Sequence, residues 1–338
     1  MSRRVSASGG GRVAVLRHCS QLLAGNALGD PCERDLYCYL PPSYEKSDRR
    51  YPVIYFLSGF TGTGRMLFNF DPLAQSLDQR LDRLIAAGDM PEIICVAPDC
   101  FTRLGGSQYC DSTATGSYES YVCDEIVPFV DERLRTQIGP QHRGVTGKSS
   151  GGYGALRLGM RHPDVFGALG SHAGDAYFAF CYLPDFPKFV LGIERHGGVE
   201  RFVRAFAQMP KKTKDAMEVM NILAMAACYS PKPQAPLGID LPVSLPGGEI
   251  RPDVWDRWLE NDPVYMAKRH AGALRSMKAI YLDAGLRDEF NLQLGARILC
   301  SRLDDLRISY LHEEFDDGHM GIVYRYDRSL VELAKVLA

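Results

Sequence analysis

The sequence predicts an α/β domain with a mostly parallel central sheet of about eight strands and helices between them. Three observations carry this expectation. Short runs rich in β-forming residues are apolar throughout rather than alternating, as strands buried on both faces are. These runs take turns with stretches whose apolar residues recur at helical spacing. The chain has 338 residues, 46% hydrophobic and 24% charged, enough to bury the core of one large domain.

The elements follow in order. Met1–Gly11 is rich in Ser and Gly and reads as a flexible tail; its two arginines are followed by no apolar run, so it fails as a secretory signal. A single domain is expected over residues 12–338. Arg34–Leu40 alternates and stops at Pro41-Pro42, a strand entering a turn. Tyr51–Ser58 and Glu92–Pro98 are apolar strands, and Leu73–Ala87 between them has the spacing of a helix. Tyr118–Gln137 is amphipathic and helical, Arg143–Gly147 is a short strand, and Gly152–Arg161 is a helix. Val165–Ser171, Ala279–Asp283 and Ile308–Phe315 complete the strands, and Ser329–Leu337 is a terminal helix. One stretch, from Asp175 to about Lys268, breaks the beat. Its helix-like pieces (Gly198–Met209, Lys214–Cys228, Pro252–Trp258, Pro263–His270) flank the Pro-rich Pro231–Pro246, the pattern of a largely helical cap inserted into the domain.

Charge and cysteine content exclude several classes. With 39 Lys+Arg against 41 Asp+Glu, the net charge is −2, so no basic field exists for nucleic acid. No apolar run is long enough for a membrane span. The ten cysteines form no C-x-x-C pair and no Cys/His ligand spacing. Several sit inside apolar runs, as in Ile94-Cys95-Val96, where a thiol acts as a small core residue. Reduced cysteines and a cytoplasmic location are the expectation.

The sharpest local feature is Gly147-Lys148-Ser149-Ser150-Gly151, a G-x-S-x-G. Its setting matters more than the pattern: it follows a short strand and opens a helix beginning with Gly152, Gly154 and Ala155. That is where a nucleophile elbow holds a serine on a strained turn, with small residues letting strand and helix approach. The alternative is an ordinary Gly-rich turn or an anion-binding helix N-terminus. A serine hydroxyl attacks at neutral pH only if an imidazole takes its proton. His319, in the turn-forming Asp316-Asp317-Gly318-His319-Met320-Gly321 after the last strand, is the best placed of eight histidines.

The acid that orients the histidine is expected after the penultimate strand, in Leu282-Asp283-Ala284-Gly285-Leu286-Arg287-Asp288-Glu289. Asp283 ends the strand itself. Asp288 lies deeper in the loop, where it can reach His319, and is favoured over Asp283, with Glu289 third. The order Ser149, Asp288, His319 is that of α/β-hydrolases. An oxyanion hole needs two amides: that of Ser150, after the nucleophile, and one from Ser58-Gly59-Phe60-Thr61-Gly62, where Gly59 turns the chain and Phe60 donates.

Leu40–Tyr44, Tyr51–Phe60, Gly147–Ala155 and Asp316–His319 resemble the "putative esterase" family, which includes esterase D, S-formylglutathione hydrolase and the antigen 85 acyltransferases. The resemblance runs from about residue 30 to the C-terminus, apart from much of the insertion. It implies an α/β-hydrolase fold and a serine-esterase mechanism with no metal or organic cofactor, in which Ser149, Asp288 and His319 form the triad. Two places around the serine that often hold His and Met in that family hold Lys148 and Ser150 here. Gly59, Lys148 and His172 are candidate substrate contacts, although a hydrogen-bonded structural imidazole is the alternative for His172. Gly105–Tyr109 follows a strand and can border the pocket, whereas Trp255 and Trp258 fit helix packing. The leading expectation is a carboxylic ester hydrolase acting on a small-molecule ester. An acyltransferase on the same triad and a catalytically silent binding protein stand as alternatives, and homo-oligomerisation is left open.

Overall fold

The computed structural model describes residues 10–338. Of the expected tail, residues 1–9 lie outside the described residues, while the Gly11 N–H donates to Asp82 Oδ1 at 2.7 Å. Ten strands follow: β1 (Arg12–Cys19), β2 (Glu33–Leu40), β3 (Val53–Leu57), β4 (Ile94–Ala97), the short pair β5 (Asp111–Ser112) and β6 (Gly116–Ser117), β7 (Arg143–Lys148), β8 (Ala168–His172), β9 (Ala279–Gly285) and β10 (Leu311–Phe315). Eight of them form one sheet in the order β1-β2-β4-β3-β7-β8-β9-β10. The pairs β1–β2 and β2–β4 are antiparallel, and every other neighbour is parallel. The mostly parallel eight-stranded sheet expected from the sequence is present.

Thirteen helices are described: α1 (Leu77–Ala86), α2 (Tyr118–Ser120), α3 (Val127–Arg133), α4 (Ser150–Arg161), α5 (Phe178–Cys181), α6 (Phe186–Arg195), α7 (Val199–Gln208), α8 (Lys214–Tyr229), α9 (Pro252–Leu259), α10 (Pro263–Arg269), α11 (Ala271–Ser276), α12 (Leu292–Asp305) and α13 (Tyr326–Leu337). A π-helical turn, Tyr121–Ile126, joins α2 to α3. Strand parity explains why the central runs are apolar throughout. Val53, Tyr55 and Leu57 of β3 join one core with Tyr121, Ile126 and Leu156. The intervening Ile54 and Phe56 join a second core on the opposite face with Leu81 of α1 and Leu330 of α13. Both faces are covered, so neither tolerates polar side chains.

β1 escaped the sequence reading because it is an edge strand. It pairs only with β2, from Arg12↔Leu40 to Cys19↔Glu33, and its side chains alternate between half-buried and exposed. Arg17 bonds Asp35 across the pair at 3.1 Å. Such charges keep an exposed edge from pairing with other chains.

The stretch beginning at Asp175 carries α5 to α10. It encloses a third core in which Ala224–Ala227 of α8 and Trp258 of α9 are fully buried beside Tyr153 of α4 and Leu292 of α12. Rings of Tyr182, Phe186 and Tyr229 pack edge-on against Trp258 at 5.4–5.8 Å, and the Trp258 Nε1–H donates to Ser230 Oγ at 2.9 Å. The two tryptophans therefore serve packing. Asp262 accepts from the amides of Tyr177, Phe178 and Val264 at 2.7–3.0 Å, tying the end of this stretch back to its beginning. Burial pushes the Asp262 carboxyl up to about 6 against those three hydrogen bonds.

Helix α4 is held from its far end as well. Buried Glu119 accepts from Arg157 Nε at 2.8 Å and Arg161 Nε at 2.6 Å, and pairs with His162 Nε2 at 2.8 Å. Burial alone would raise the Glu119 carboxyl, but His162 and the two guanidinium groups overcome it and hold it at about 2. All ten cysteines are free thiols, eight of them buried. Among the described residues no helix is long and apolar enough to cross a membrane.

Candidate active site

Strand β7 ends at Lys148, α4 starts at Ser150, and Ser149 turns the chain between them with φ 58° and ψ −127°. A non-glycine residue at positive φ is strained, and the surroundings must hold it there. Here the Ser149 N–H donates to the His172 carbonyl at 2.9 Å, and its own carbonyl accepts from the Tyr153 N–H at 2.8 Å. The flanking glycines answer to packing. A Cβ on Gly147 would lie 2.6 Å from the Gly151 carbonyl, and one on Gly151 would lie 2.7 Å from the Leu57 carbonyl carbon of β3. Both obstacles are backbone, which cannot swing away. Gly151→Ala should therefore destabilise the protein by about 3 kcal/mol through overpacking, read as a lowered midpoint in thermal unfolding. A variant that melts with the wild type would show that strand and helix are not in this close contact.

The loops after β9 and β10 meet at the same end of the parallel strands as the elbow. The Leu286 N–H donates to the Phe315 carbonyl at 2.8 Å and the Arg287 N–H to the Asp317 carbonyl at 2.9 Å. Gly285 has no room for a side chain against Gly318, whose carbonyl oxygen would sit 2.6 Å from its Cβ. This seam brings Asp288 Oδ2 to 2.8 Å from His319 Nδ1, with both side chains buried. Asp288 Oδ1 accepts from the Phe290 N–H at 2.9 Å, and Glu289 accepts from the His319 backbone N–H at 2.7 Å. The Phe290 ring meets the imidazole edge-on at 4.8 Å. With Asp288 accepting, the network assigns the proton to Nδ1 and leaves Nε2 a lone pair. Neither Nε2 nor Ser149 Oγ has a protein hydrogen bond among the described residues.

Asp283, the sequence's second choice of acid, faces elsewhere. Its Oδ1 lies 2.8 Å from His172 Nδ1, and its Oδ2 accepts from Tyr281 OH at 2.9 Å and Arg325 Nε at 3.0 Å. His172 is corrected as a substrate contact. It is 1% exposed, and its second nitrogen pairs with Ser329 Oγ at 2.7 Å, so neither ring nitrogen is left for a ligand. The structural imidazole is the reading that fits.

On the other side of Ser149, the loop after β3 lies against the elbow. A Cβ on Gly59 would be 3.1 Å from the Lys148 carbonyl oxygen and 3.5 Å from Ser149 Cβ. The Gly62 N–H donates back to Gly59 at 2.8 Å, and Thr61, at φ 64°, donates to the Gly105 carbonyl at 2.7 Å. This turn leaves the Phe60 N–H without a protein partner among the described residues, as is the Ser150 N–H at the start of α4. Phe60 and Ser150 border one small cavity, with about 10 Å³ for the centre of a water molecule, together with Gly59, Gly106, Ser107 and Gln108. Of the segment Gly105–Tyr109, the last four residues line this cavity.

Two charged groups complete the surroundings. Burial lowers the Lys148 ammonium below the ordinary lysine range, opposed by the negative charges of Asp288 and Glu289. Lys148 has no ion pair among the described residues. Asp175, at the start of the helical stretch, accepts from Tyr182 OH at 2.8 Å and Gln108 Nε2 at 3.0 Å. Burial raises its carboxyl despite those bonds, and it lies within the fields of His319 and Asp288. The sequence carried no signal for Asp175 beyond its place after a strand.

Sheet order, elbow and the position of the two loops define an α/β-hydrolase fold. Residues 26–324 match the profile of the "Putative esterase" family, and the chain belongs to that family. It is 28% identical over 149 residues to the uncharacterized protein YbbA of Bacillus subtilis, a match covering 41% of this chain and 56% of that protein. It is 32% identical over 143 residues to Esterase Rv1288 of Mycobacterium tuberculosis, covering 40% of this chain and 28% of that one. The match thus spans little more than half of the first relative and under a third of the second. Among solved structures, a ferulic acid esterase superposes with a TM-score of 0.62 at 19% identity, covering 98% of this chain and all of that one. An S-formylglutathione hydrolase from Agrobacterium tumefaciens gives 0.60 at 18% identity, covering 98% of each. At such identity these two likenesses speak to the fold.

Proposed function

We propose that this chain is a serine carboxylic-ester hydrolase acting on small-molecule esters through an acyl-enzyme. The observation that carries it is the combination at the carboxyl ends of the parallel strands: a strained, unpaired serine, an imidazole bonded to a buried carboxylate, and two unpaired amides. Family membership supports the same activity. In the reaction, Ser149 Oγ adds to the ester carbonyl while His319 Nε2 takes the hydroxyl proton. The negative charge that develops on the carbonyl oxygen is met by the Phe60 and Ser150 N–H groups, each donor being worth roughly 3 kcal/mol in the transition state. Collapse of this adduct breaks the ester C–O bond, and His319 returns the proton to the leaving alcohol. Water then repeats the sequence on the acyl-serine, releasing the carboxylic acid. Asp288 keeps the imidazole in the required tautomer and stabilises its cation.

Reaction of the folded protein with a fluorophosphonate, followed by peptide mass mapping, tests this reading. One phosphonyl group on Ser149 is expected. Folded protein that stays unlabelled would point instead to a silent member of the fold, and faster product formation with an added alcohol than with water would point to acyl transfer.

The stretch from Asp175 to about Lys268 is proposed as the cap that sets acyl choice. What supports this is its first turn: the rings of Tyr177 and Phe180 meet edge-on at 4.6 Å, Phe180 is 40% exposed, and its carbonyl accepts from Asn291, next to the Phe290 that packs on His319. Phe180→Ala should change the ratio of kcat/KM between bulky and short acyl esters severalfold. An unchanged ratio would remove this turn from the substrate wall.

A further inference from the structure

We propose that Arg325 is a positioning residue for His319, closing the base of the loop that carries the imidazole and locking it to the strand that leads to Asp288. The inference rests on the catalytic reading given above. His319 lies between Phe315, the last residue of β10, and Arg325, the last residue before α13. The two ends of this loop touch: the Arg325 guanidinium sits over the Phe315 ring, 4.5 Å from its centre. The same guanidinium donates from Nε to Asp283 Oδ2 at 3.0 Å, from Nη2 to Tyr281 OH at 3.0 Å, and to Glu313. One side chain therefore joins β9, β10 and the far end of the His319 loop.

Asp283 gives the clamp its fixed point. Its side chain is fully buried, its other oxygen is held by His172, and its carbonyl accepts from the Ala173 N–H at 2.7 Å. Two residues later, Gly285 abuts the backbone of the His319 loop, and three further on comes Asp288. Asp283 and Arg325 are thus the points from which the two arms, one ending in the carboxylate and one in the imidazole, reach towards each other. Neither touches the reacting atoms. Without the clamp, the loop of His319 keeps its seam with the Asp288 loop and the buried Ile322 but is no longer tied to β9 through Arg325, and a displacement of the base of about 1 Å costs on the order of 10²-fold in rate.

The test compares Arg325→Gln, Arg325→Lys and Arg328→Gln on a p-nitrophenyl ester, with kcat expressed per Ser149 titrated by fluorophosphonate. Arg328 shares Glu313 with Arg325 but does not touch Asp283, so its substitution reports general loosening of this corner. Arg325→Gln should lower kcat by roughly 10- to 100-fold with KM within about threefold of wild type, and should slow fluorophosphonate labelling in parallel. Arg325→Lys, which keeps the charge beside Asp283 but not the fork, should fall between the two. Should the Gln variant not fold, the Lys variant carries the test through its loss of kcat. Arg328→Gln should match wild type. Wild-type kcat in the folded Arg325 variants, or an equal loss in Arg328→Gln, overturns the proposal. Absence of labelling in the wild type overturns the catalytic reading instead, which keeps the two failures apart.

Discussion

Replacing Ser149 by alanine should lower kcat for a p-nitrophenyl ester by about 10⁴-fold or more and leave the fold in place. The size follows from what is removed. Without the hydroxyl no acyl-enzyme forms, and the only rate left comes from the Phe60 and Ser150 amides polarising a bound ester for attack by water. The fold survives because Ser149 contributes backbone, not side-chain, bonds to the elbow: its N–H to His172 and its carbonyl to Tyr153. Alanine is no worse than serine at φ 58°, so the strain is unchanged. Circular dichroism and the melting temperature should overlay those of the wild type. Turnover at the wild-type rate by well-folded Ser149→Ala would end the serine mechanism proposed here.

The second large effect belongs to the acid. Asp288→Asn is nearly isosteric, yet it should cost up to about 10⁴-fold in kcat. An amide offers His319 either an oxygen without charge or an N–H, and the latter would turn the imidazole so that its proton sits on Nε2, where Ser149 needs a base. The cation formed during transfer also loses its counter-charge. Asp283→Asn should cost much less in rate, since Asp283 acts on the site only through Arg325. It should cost more in stability, because it breaks a buried ion pair with Arg325 and leaves His172 poorly partnered. The pair of variants therefore separates the two carboxylates by opposite signatures in kcat and melting temperature. If Asp283→Asn is the slower enzyme, the orienting acid has been misassigned.

The order of strands and helices was legible because burial on both faces leaves a run of apolar residues that no polar alternation interrupts. Two elements gave no readable signal. β1 lies at the edge with a polar, half-exposed pattern, and in α12 the buried Leu292, Leu299, Cys300 and Leu303 are at helical spacing but Gly295, facing the Ala176 carbonyl, interrupts the helix-forming residues. Ser149 and His319 stood out as candidates because glycine and turn residues mark their places. The choice between Asp283 and Asp288 was a matter of chain order and reach, and the sheet supplies its reason. Asp283 pairs in register with His172, and the two side chains reach Arg325 and Ser329 at α13 rather than the His319 imidazole. His172 leaves both readings open in the sequence for the same reason: a strand-end residue can turn to the ligand or under the sheet, and parity against a helix not yet placed decides which. Arg325 left no trace in the sequence, since its partners come from two strands, β9 and β10, both distant from it in pattern.

The burial of α8 has a bearing on how this chain can change its substrate over evolutionary time. A lid attached by hinges can be exchanged as a module, because its loss exposes little. Here Met225, Ala226 and Ala227 share one core with Tyr153 of the helix behind the serine. Heat should therefore melt the stretch and the sheet in a single cooperative transition, and recombination that swapped the stretch whole would strip the elbow helix of its packing. With the stretch as the proposed substrate wall, new acyl preferences would be reached by point changes at exposed tips such as Phe180, one side chain at a time.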